Sequence, residues 1–182
     1  MRQPLTTESL QFFMKALAAA GRTPARVYLV GGASAVLLGW RTSTIDVDLK
    51  IIPESDELLR SLPRLKEQLH INIELASPDD FIPALPRWEE RSQFIQIEGK
   101  LSFYHYDFYA QALAKIERDF EIDRQDVARL FSDGLIESDR LLQLFNSVED
   151  QIYRYPHLDS KTFSRSVERA VKRAKQDSKG TN

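Results

Sequence analysis

The sequence predicts an α+β fold, in which a small mixed β-sheet is followed by a C-terminal helical domain. Two features of the chain indicate this fold class. Apolar runs and period-2 alternations, which are typical of strands, fall within the first 106 residues and are separated by segments with helical spacing. From Phe108 onward the pattern is helical to the end. We therefore expect a core domain over residues 1–106 and a helical domain over residues 107–182.

The composition limits the class of protein. A chain of 182 residues is long enough for a small catalytic domain and a helical companion. It has no cysteine, which excludes disulfides, thiolate zinc sites and cysteine nucleophiles. The net charge of −2 does not indicate a nucleic-acid binder for the molecule as a whole. Because no signal peptide or membrane-spanning segment is found, we expect a cytoplasmic protein without membrane contact.

The first predicted element is a helix over residues 7–20. Thr6 or Thr7 is its expected N-cap, and Gly21 ends it. Its apolar side chains recur at helical spacing and are expected to belong to the core. These are Leu10, Phe13, Met14, Leu17 and Ala18.

The most informative stretch begins with a strand that ends in a glycine turn. Residues 27–30 form an apolar run suited to a buried strand, which breaks at Gly31 and Gly32, and residues 33–38 suit a short helix. Two glycines permit backbone conformations closed to other residues and let a ligand approach closely. Free amide groups at the start of a helix attract phosphate, and Ser34 adds a hydroxyl.

A pair of carboxylates follows about a dozen residues later. In the alternating segment, Asp46 and Asp48 project from one face of a strand, whereas Ile45, Val47 and Leu49 project from the other. Such a pair supplies oxygen ligands for Mg²⁺, which binds through one or two carboxylates together with substrate phosphates. A glycine turn or an Asp-x-Asp alone is usually structural. A glycine turn followed by Asp-x-Asp about a dozen residues later indicates a nucleotide and metal site more specifically than either motif alone.

Seven residues of this stretch resemble the signature of the DNA polymerase β-like nucleotidyltransferase superfamily: Gly31, Gly32, Ser34, Arg41, Thr44, Asp46 and Asp48. The nearest resemblance is to small bacterial nucleotidyltransferases of the abortive-infection AbiEii type and to an uncharacterised family of small proteins described only as nucleotidyltransferases. The CCA-adding tRNA enzymes also carry a similar Val-Gly-Gly stretch. The resemblance implies that the glycine turn and Ser34 hold the triphosphate of a nucleotide, with Arg41 and Thr44 as further binding residues. It also implies that the two aspartates hold Mg²⁺ and that a third carboxylate activates the attacking hydroxyl.

A helix and a second polar strand follow. Residues 56–69 have a helical pattern, and we expect Pro63 to divide it into two short helices, with Ser61 as a cap of the second. Residues 70–76 then alternate, which places Glu74 on the polar face of a strand. The resemblance makes Glu74 the third carboxylate and a metal ligand, although Glu replaces the more usual Asp. The alternative is a solvated glutamate on an edge strand.

Two polar neighbours of that strand carry no predicted function. His70, at the junction of helix and strand, is interpreted as a cap, and Asn72 as a surface or strand-end residue. Residues 77–92 contain three prolines, and their apolar residues follow neither helical nor strand spacing, which predicts an ordered loop. Residues 94–97 and 101–106 then read as a β-hairpin, and Asp107 is the expected N-cap of the next helix.

Charged residues of the helical domain resemble further motifs of the AbiEii-type proteins. Lys115-x-x-Arg118 is followed by Asp123-x-x-Asp126, and in those proteins the basic residue contacts phosphate. A lysine at a catalytic cleft neutralises charge on a transferring phosphate. The same residues also describe an ordinary salt-bridged helix, in which Asp126 pairs with Lys115 and Asp123 is an N-cap. Both interpretations of Lys115 stay open, and the salt bridge is favoured for Arg118.

Two further helices complete the chain. One is predicted over residues 138–155, and the last over residues 160–176 with Asp159 or Ser160 as its cap. Residues 161–182 hold seven Lys or Arg against two Asp or Glu, a net charge of +5. A basic face suits an RNA backbone, but terminal charged helices are more often simply solvated. The predicted basic face consists of Arg165, Arg169, Lys172 and Arg173.

The combined hypothesis is a Mg²⁺-dependent nucleotidyltransferase whose helical domain closes the catalytic cleft. It would move a nucleoside monophosphate from an NTP onto a hydroxyl of RNA, such as tRNA, or of a protein. Asp46, Asp48 and Glu74 would be catalytic, together with Lys115 as a phosphate contact. One alternative is a degenerate nucleotidyltransferase that only binds a nucleotide or a protein. Another is one half of a toxin–antitoxin pair, with its cognate toxin or antitoxin as a partner.

Overall fold

The structure is a computed structural model, and it describes residues 4–180, without the side chains of the last two. The chain forms two compact units. The sheet unit comprises the described residues up to Ser77 together with Ser92–Tyr106, and the helical unit comprises Pro78–Arg91 together with the described residues from Asp107 onward. The five strands found among the described residues all belong to the sheet unit, which confirms the predicted α+β class.

The sheet is mixed, as predicted. Its spatial order is β3-β2-β1-β5-β4. Strand β1 pairs antiparallel with β2 and parallel with β5. Strand β2 pairs parallel with β3, and β4 pairs antiparallel with β5 in the predicted hairpin. The strands are β1 (Ala25–Val30), β2 (Asp46–Ile52), β3 (Asn72–Leu75), β4 (Gln93–Glu98) and β5 (Leu101–His105).

Three helices accompany the sheet: α1 (Thr7–Ala20), α2 (Gly31–Leu37) and α3 (Asp56–Leu69). Helix α1 is capped by Thr6 and ends at Gly21, as predicted. Alternate residues of the strands enter a core shared with α1 and α3. Their removal from water is the main favourable contribution to folding of this unit. The core includes Phe13, Leu17, Val27, Leu29, Val47, Leu49, Leu58 and Phe103.

Helix α3 runs through Pro63 without a break, so the prediction of two short helices is wrong. A proline inside a helix removes one amide donor and costs about 3 kcal/mol or more. Here Leu58, Leu62 and Leu65 are buried on both sides of the proline, and their packing holds the helix together. Ser61 is not a cap, because its hydroxyl donates to the carbonyl oxygen of Leu58 at 2.7 Å.

The carboxylate strand begins at Asp46, one residue later than the alternation predicted. Ile45 precedes the strand and is 60% exposed, so it does not share the buried face of Val47. The segment before the strand is fixed by an antiparallel bridge between Thr44 and Leu5. Their backbone N–O distances are 2.7 and 3.0 Å. This bridge holds the chain in place between α2 and β2.

The helical unit contains five α-helices: α4 (Trp88–Arg91), α5 (Phe108–Arg118), α6 (Glu121–Ser132), α7 (Ser138–Asn146) and α8 (Ser160–Gly180). Asp107 caps α5 by accepting from the amide of Tyr109 at 3.1 Å, as predicted. Asp159 caps α8 by accepting from the amide of Thr162 at 2.8 Å. In the part of the chain that is described, no helix is long and apolar enough to cross a membrane.

Two expectations about these helices are corrected. Helix α7 ends at Asn146, and a 3₁₀ segment (Glu149–Arg154) follows where one long helix was predicted. The hydroxyl of Ser147 donates to the carbonyl oxygen of Leu144 at 2.7 Å, a local bond that competes with helix continuation. Asp123 lies inside α6, whose N-cap is Phe120, so it is not the cap of that helix.

Candidate functional site

The turn between β1 and α2 depends on both of its glycines. Gly31 has a φ of +58°, which L-residues with side chains rarely adopt. A Cβ on Gly32 would overlap Oγ1 of Thr44. A Cβ on Gly31 would lie 3.5 Å from Oδ2 of Asp48. The backbone of the turn therefore runs directly beside the residues before and within the carboxylate strand.

Strands β2 and β3 bring four polar side chains to one face of the sheet. Their parallel register places Asp46 opposite Asn72 and Asp48 opposite Glu74. Residues opposite each other in neighbouring strands project to the same side, and alternate residues of one strand do so too. The other face of β2 carries Val47 and the rest of its buried residues. The structure thus brings together the three carboxylates that the sequence analysis singled out.

Asn72 connects two of these carboxylates. Its Nδ2 donates to Oδ1 of Asp46 at 2.8 Å and to Oε1 of Glu74 at 2.7 Å. The residue is buried, whereas Glu74 is exposed. One side-chain amide has two N–H donors, and here each serves one acid. This role of Asn72 was not predicted, although the period-2 alternation already placed Asn72 on the same face as Glu74.

Ser34 is buried in α2 and contacts a histidine of β5. Its hydroxyl oxygen lies 2.6 Å from Nδ1 of His105, within hydrogen-bonding distance. Burial lowers the pKa of His105 to about 4, so its imidazole is neutral at pH 7. The pair fixes the start of α2 against the sheet. The alternation of β5, which places His105 on the same face as Leu101 and Phe103, was the signal for an inward-facing histidine.

Two further predicted nucleotide-binding residues, Arg41 and Thr44, lie between α2 and β2. Thr44 is partly buried, and its hydroxyl donates to the backbone oxygen of Asp46 at 3.3 Å. Arg41 is partly buried in the same connection. The glycine turn, this connection and the acidic face of β2 all belong to the sheet unit.

Lys115 belongs to a cluster of charges inside the helical unit. Its side chain is 10% exposed, and its Nζ lies 2.7 Å from Oδ2 of Asp126 and 3.4 Å from Oδ1 of Asp123. Arg118 donates two hydrogen bonds to Asp123, at 2.8 and 2.6 Å. Burial alone would raise the pKa of Asp123, but these cations lower it on balance. The predicted salt bridge of Lys115 with Asp126 is confirmed, and a contact of Lys115 with phosphate stays a prediction.

Comparison with known proteins identifies the family. A family model described as a nucleotidyltransferase of unknown function (DUF6036) matches residues 8–175. The chain belongs to this family. No curated protein and no solved structure matches it. The predicted nucleotidyltransferase relationship is confirmed at this level, and the closer AbiEii-type resemblance stays a prediction.

The oxygen donors on this face of the sheet fit the Mg²⁺ ion that the superfamily resemblance implies. Asp46 and Asp48 offer carboxylate oxygens from one strand, which are the hard ligands that Mg²⁺ prefers. The side-chain amide of Asn72 donates a hydrogen bond to one of the two carboxylate oxygens of Asp46, Oδ1. Among residues 4–178, no three His, Cys, Asp or Glu side chains are grouped closely enough to hold a metal by themselves. The set therefore suits an ion that completes its coordination with water and substrate phosphates.

Proposed function

We propose that this nucleotidyltransferase moves a nucleoside monophosphate from an NTP onto a hydroxyl of RNA, tRNA included, or of a protein. The acceptor oxygen forms a bond to the α-phosphorus, and the bond from that phosphorus to the oxygen bridging to the β-phosphate breaks. Pyrophosphate leaves, and the acceptor proton passes to a carboxylate. One observation carries the proposal: Asp46 and Asp48 share a sheet face beside the turn at Gly31 and Gly32.

The acidic face supplies two roles. Asp46 and Asp48 are proposed to hold Mg²⁺, which would neutralise charge on the phosphates during transfer. Glu74 is exposed, so an acceptor hydroxyl can reach its carboxylate. We assign Glu74 the role of general base, which takes the proton of that hydroxyl. Asn72 keeps Glu74 beside Asp46 through its two hydrogen bonds.

The glycine turn supplies the phosphate contacts. Because Gly31 and Gly32 carry no side chain, the triphosphate can approach their backbone closely. Arg41 and Thr44, in the next connection, are proposed to add a cation and a hydroxyl. The hydroxyl of Ser34 is engaged with His105, so we assign Ser34 to holding the turn in place.

Lys115 enters the proposal as a phosphate contact from the helical unit. Its ammonium group is bonded to Asp126, so phosphate would compete with that carboxylate for it. A lysine in this role adds positive charge where the transferring phosphate accumulates negative charge.

A nucleotide-binding or protein-binding module without transfer is the second candidate. It is favoured by Asn72, which occupies oxygens of both Asp46 and Glu74 with its amide. It is also favoured by the engagement of Ser34 with His105. According to this second candidate function, the glycine turn binds a nucleotide or the protein binds a partner. The carboxylates then take no part in a transfer reaction.

The AbiEii-type resemblance suggests a cellular setting in the bacterial cytoplasm. We include in the proposal a role in a toxin–antitoxin pair, either as a toxin acting on tRNA or as an antitoxin that nucleotidylates its toxin. A neighbouring gene whose deletion makes this gene lethal would support the toxin role. Lethality of that neighbour when this gene is deleted would support the antitoxin role.

The deciding experiment incubates the protein with each α-labelled NTP, Mg²⁺ and a mixture of tRNA and cell proteins. Asp46→Asn and Asp48→Asn are the test variants. Asp56→Asn is the matched control, because Asp56 is an exposed aspartate of the same unit at the start of α3. Label transfer by the wild type and the control, reduced at least about 100-fold in the test variants, supports the enzyme. NTP binding without transfer supports the module, and neither binding nor transfer contradicts both.

A further inference from the structure

The helical unit contains a groove of which only one lining residue, Lys115, takes part in the proposed reaction. Its volume is about 1050 Å³, and its lining comes from α5, α6, α8, the start of α7 and the residues that connect α5 to α6 and α6 to α7. Small-molecule sites have volumes of about 300–1,000 Å³. The groove is therefore at the upper limit for a small ligand and large enough for a short stretch of a polymer.

The lining is rich in groups that bind phosphate. It contains five basic side chains and four serines, against three acidic side chains. Arginine, lysine and serine are the side chains that commonly contact the backbone phosphates of nucleic acids. The basic residues of the groove are Lys115, Arg124, Arg129, Arg169 and Arg173.

Three of these cations are not neutralised by a carboxylate. Arg124 is bonded to Asp119 at 2.8 Å, and Lys115 is bonded within its charge cluster. By contrast, Arg129, Arg169 and Arg173 have no ion pair with any residue in the described part of the chain. The groove therefore presents three such cations from α6 and α8 against two other acidic side chains of its lining, Glu137 and Asp177, and an anionic ligand would neutralise the excess positive charge.

The two arginines of α8 form a row. Arg169 and Arg173 are four residues apart, so they project from the same side of the helix about 6 Å apart along its axis. Arg169 also donates to the hydroxyl of Ser166 at 3.0 Å. The groove further includes the apolar side chains of Val127 and Phe131, which a base could contact. A row of cations beside apolar surface is the pattern of single-stranded nucleic-acid sites.

We infer that this groove binds the backbone of single-stranded RNA, and that it holds the acceptor of the transfer reaction. The second half of this inference rests on the proposed function, whereas RNA binding itself does not. The lining favours RNA over an acidic polypeptide because the serines add neutral hydrogen-bond donors for phosphate oxygens. An acidic helix would instead need a row of large apolar side chains to anchor it.

The experiment compares two charge-matched double variants of the full chain. Arg169→Gln with Arg173→Gln removes two cations that line the groove, whereas Arg165→Gln with Lys172→Gln removes two exposed cations of the same helix outside it. Binding of a fluorescein-labelled 12-nucleotide single-stranded RNA of mixed sequence is measured by anisotropy without NTP, over a range of salt concentrations. Circular dichroism checks that all four substitutions leave the fold intact.

The groove variant is expected to bind at least about tenfold more weakly than the wild type. Its slope of log K against log salt should fall by about 1.4, since each single-strand phosphate contact contributes about 0.7. The control variant should lose about twofold at most. Equal losses in both variants would overturn the inference, because they would indicate net charge alone.

Two further outcomes would also overturn it. One is absence of RNA binding by the wild type at low salt. The other is tighter, groove-dependent binding of polyglutamate, which would identify an acidic polypeptide as the ligand. The Asp46→Asn variant separates the two proposals, because it should retain full RNA binding. Retained RNA binding with no nucleotidyl transfer by the wild type would count against the proposed function and not against RNA binding in the groove.

Discussion

The side-chain amide of Asn72 lies between two acids of neighbouring strands, with its Nδ2 2.8 Å from Oδ1 of Asp46 and 2.7 Å from Oε1 of Glu74. Hydrogen bonds to ionised groups are stronger than neutral ones. The amide therefore lowers the electrostatic cost of placing two carboxylates on the same face. The two hydrogen bonds of Asn72 also fix the orientation of the Asp46 and Glu74 side chains.

Replacement of Asn72 by aspartate should convert this donor into a fourth carboxylate on the face that already carries Asp46, Asp48 and Glu74. We expect Asn72→Asp to lower the Tm of the sheet unit by about 5 °C in EDTA, which corresponds to about 1 kcal/mol for a unit of this size. Mg²⁺ should restore most of that loss, because it neutralises the added charge. Thermal unfolding with and without Mg²⁺ measures both effects. Asn72→Leu, which adds no charge, is the control, and equal Mg²⁺ responses of the two variants would contradict the prediction.

Replacement of Gly32 by alanine should destabilise the sheet unit. The new Cβ would overlap Thr44, whose backbone is held by its bridge to Leu5. Overpacking of this kind typically costs about 1–3 kcal/mol, whereas alanine gains about 1 kcal/mol over glycine in a helix. The difference between these two figures is an expected net loss of up to about 2 kcal/mol in urea unfolding.

The companion variant tests the cause of that loss. Thr44→Ala removes the hydroxyl and methyl that the new Cβ would meet, so the double variant Gly32→Ala, Thr44→Ala should recover most of the stability relative to Thr44→Ala alone. If Gly32→Ala costs the same in both backgrounds, the overlap with Thr44 is not its cause. A double-mutant cycle of unfolding free energies gives the answer directly.

Replacement of Lys115 by methionine should destabilise the helical unit. The change leaves Asp126 buried without the ammonium group 2.7 Å away, and removal of one partner of a buried ion pair typically costs about 3–5 kcal/mol. The double variant Lys115→Met, Asp126→Leu should recover part of this loss. Urea unfolding of the wild type and of both variants measures these changes in stability. No difference between the single and double variants would mean that Asp126 does not depend on Lys115.

Acidification should destabilise the sheet unit through His105. Its pKa is lowered to about 4 in the folded protein, against about 6.5 in an unfolded chain. Below pH 6.5 the unfolded chain therefore binds a proton that the folded chain takes up only near pH 4. The associated stability is complete above pH 6.5 and is lost as the pH falls, by about 2–3 kcal/mol between pH 7.5 and 4.5.

The variant His105→Asn should lack this component of the pH dependence. Urea unfolding at several pH values, followed by the fluorescence of Trp40 in a Trp88→Phe background, reports on the sheet unit. The wild type should lose more stability than the variant between pH 6.5 and 4.5. Parallel pH profiles would show that His105 becomes protonated equally in the folded and unfolded states.

The sequence predicted those elements that depend on local signals. The N-cap Thr6, the N-cap Asp107 and the β4–β5 hairpin each follow from a few adjacent residues, and the structure confirms them. The period-2 pattern likewise placed Asp46 and Asp48 on one face. These features can be predicted without knowing which strands pair with each other in the sheet.

Features that depend on distant parts of the chain were missed. The role of Asn72 requires the parallel register that sets it opposite Asp46, and the contact of Ser34 with His105 spans 71 positions. Pro63 was misinterpreted because a local rule about helix breaking was outweighed by burial of the surrounding leucines. In each case the deciding energy comes from packing that a single stretch of sequence does not contain.

The route of the chain makes the helical unit depend on a segment from the middle of the sequence. Arg91, in Pro78–Arg91, donates two hydrogen bonds to the buried Asp107 that caps α5. Tyr155 and His157 contact backbone oxygens of Asp79 and Phe81 in the same segment. A gene fragment that starts at residue 107 would therefore encode helices without the residues that complete them. Because each unit consists of two separate stretches of chain, no single break in the chain separates one unit from the other.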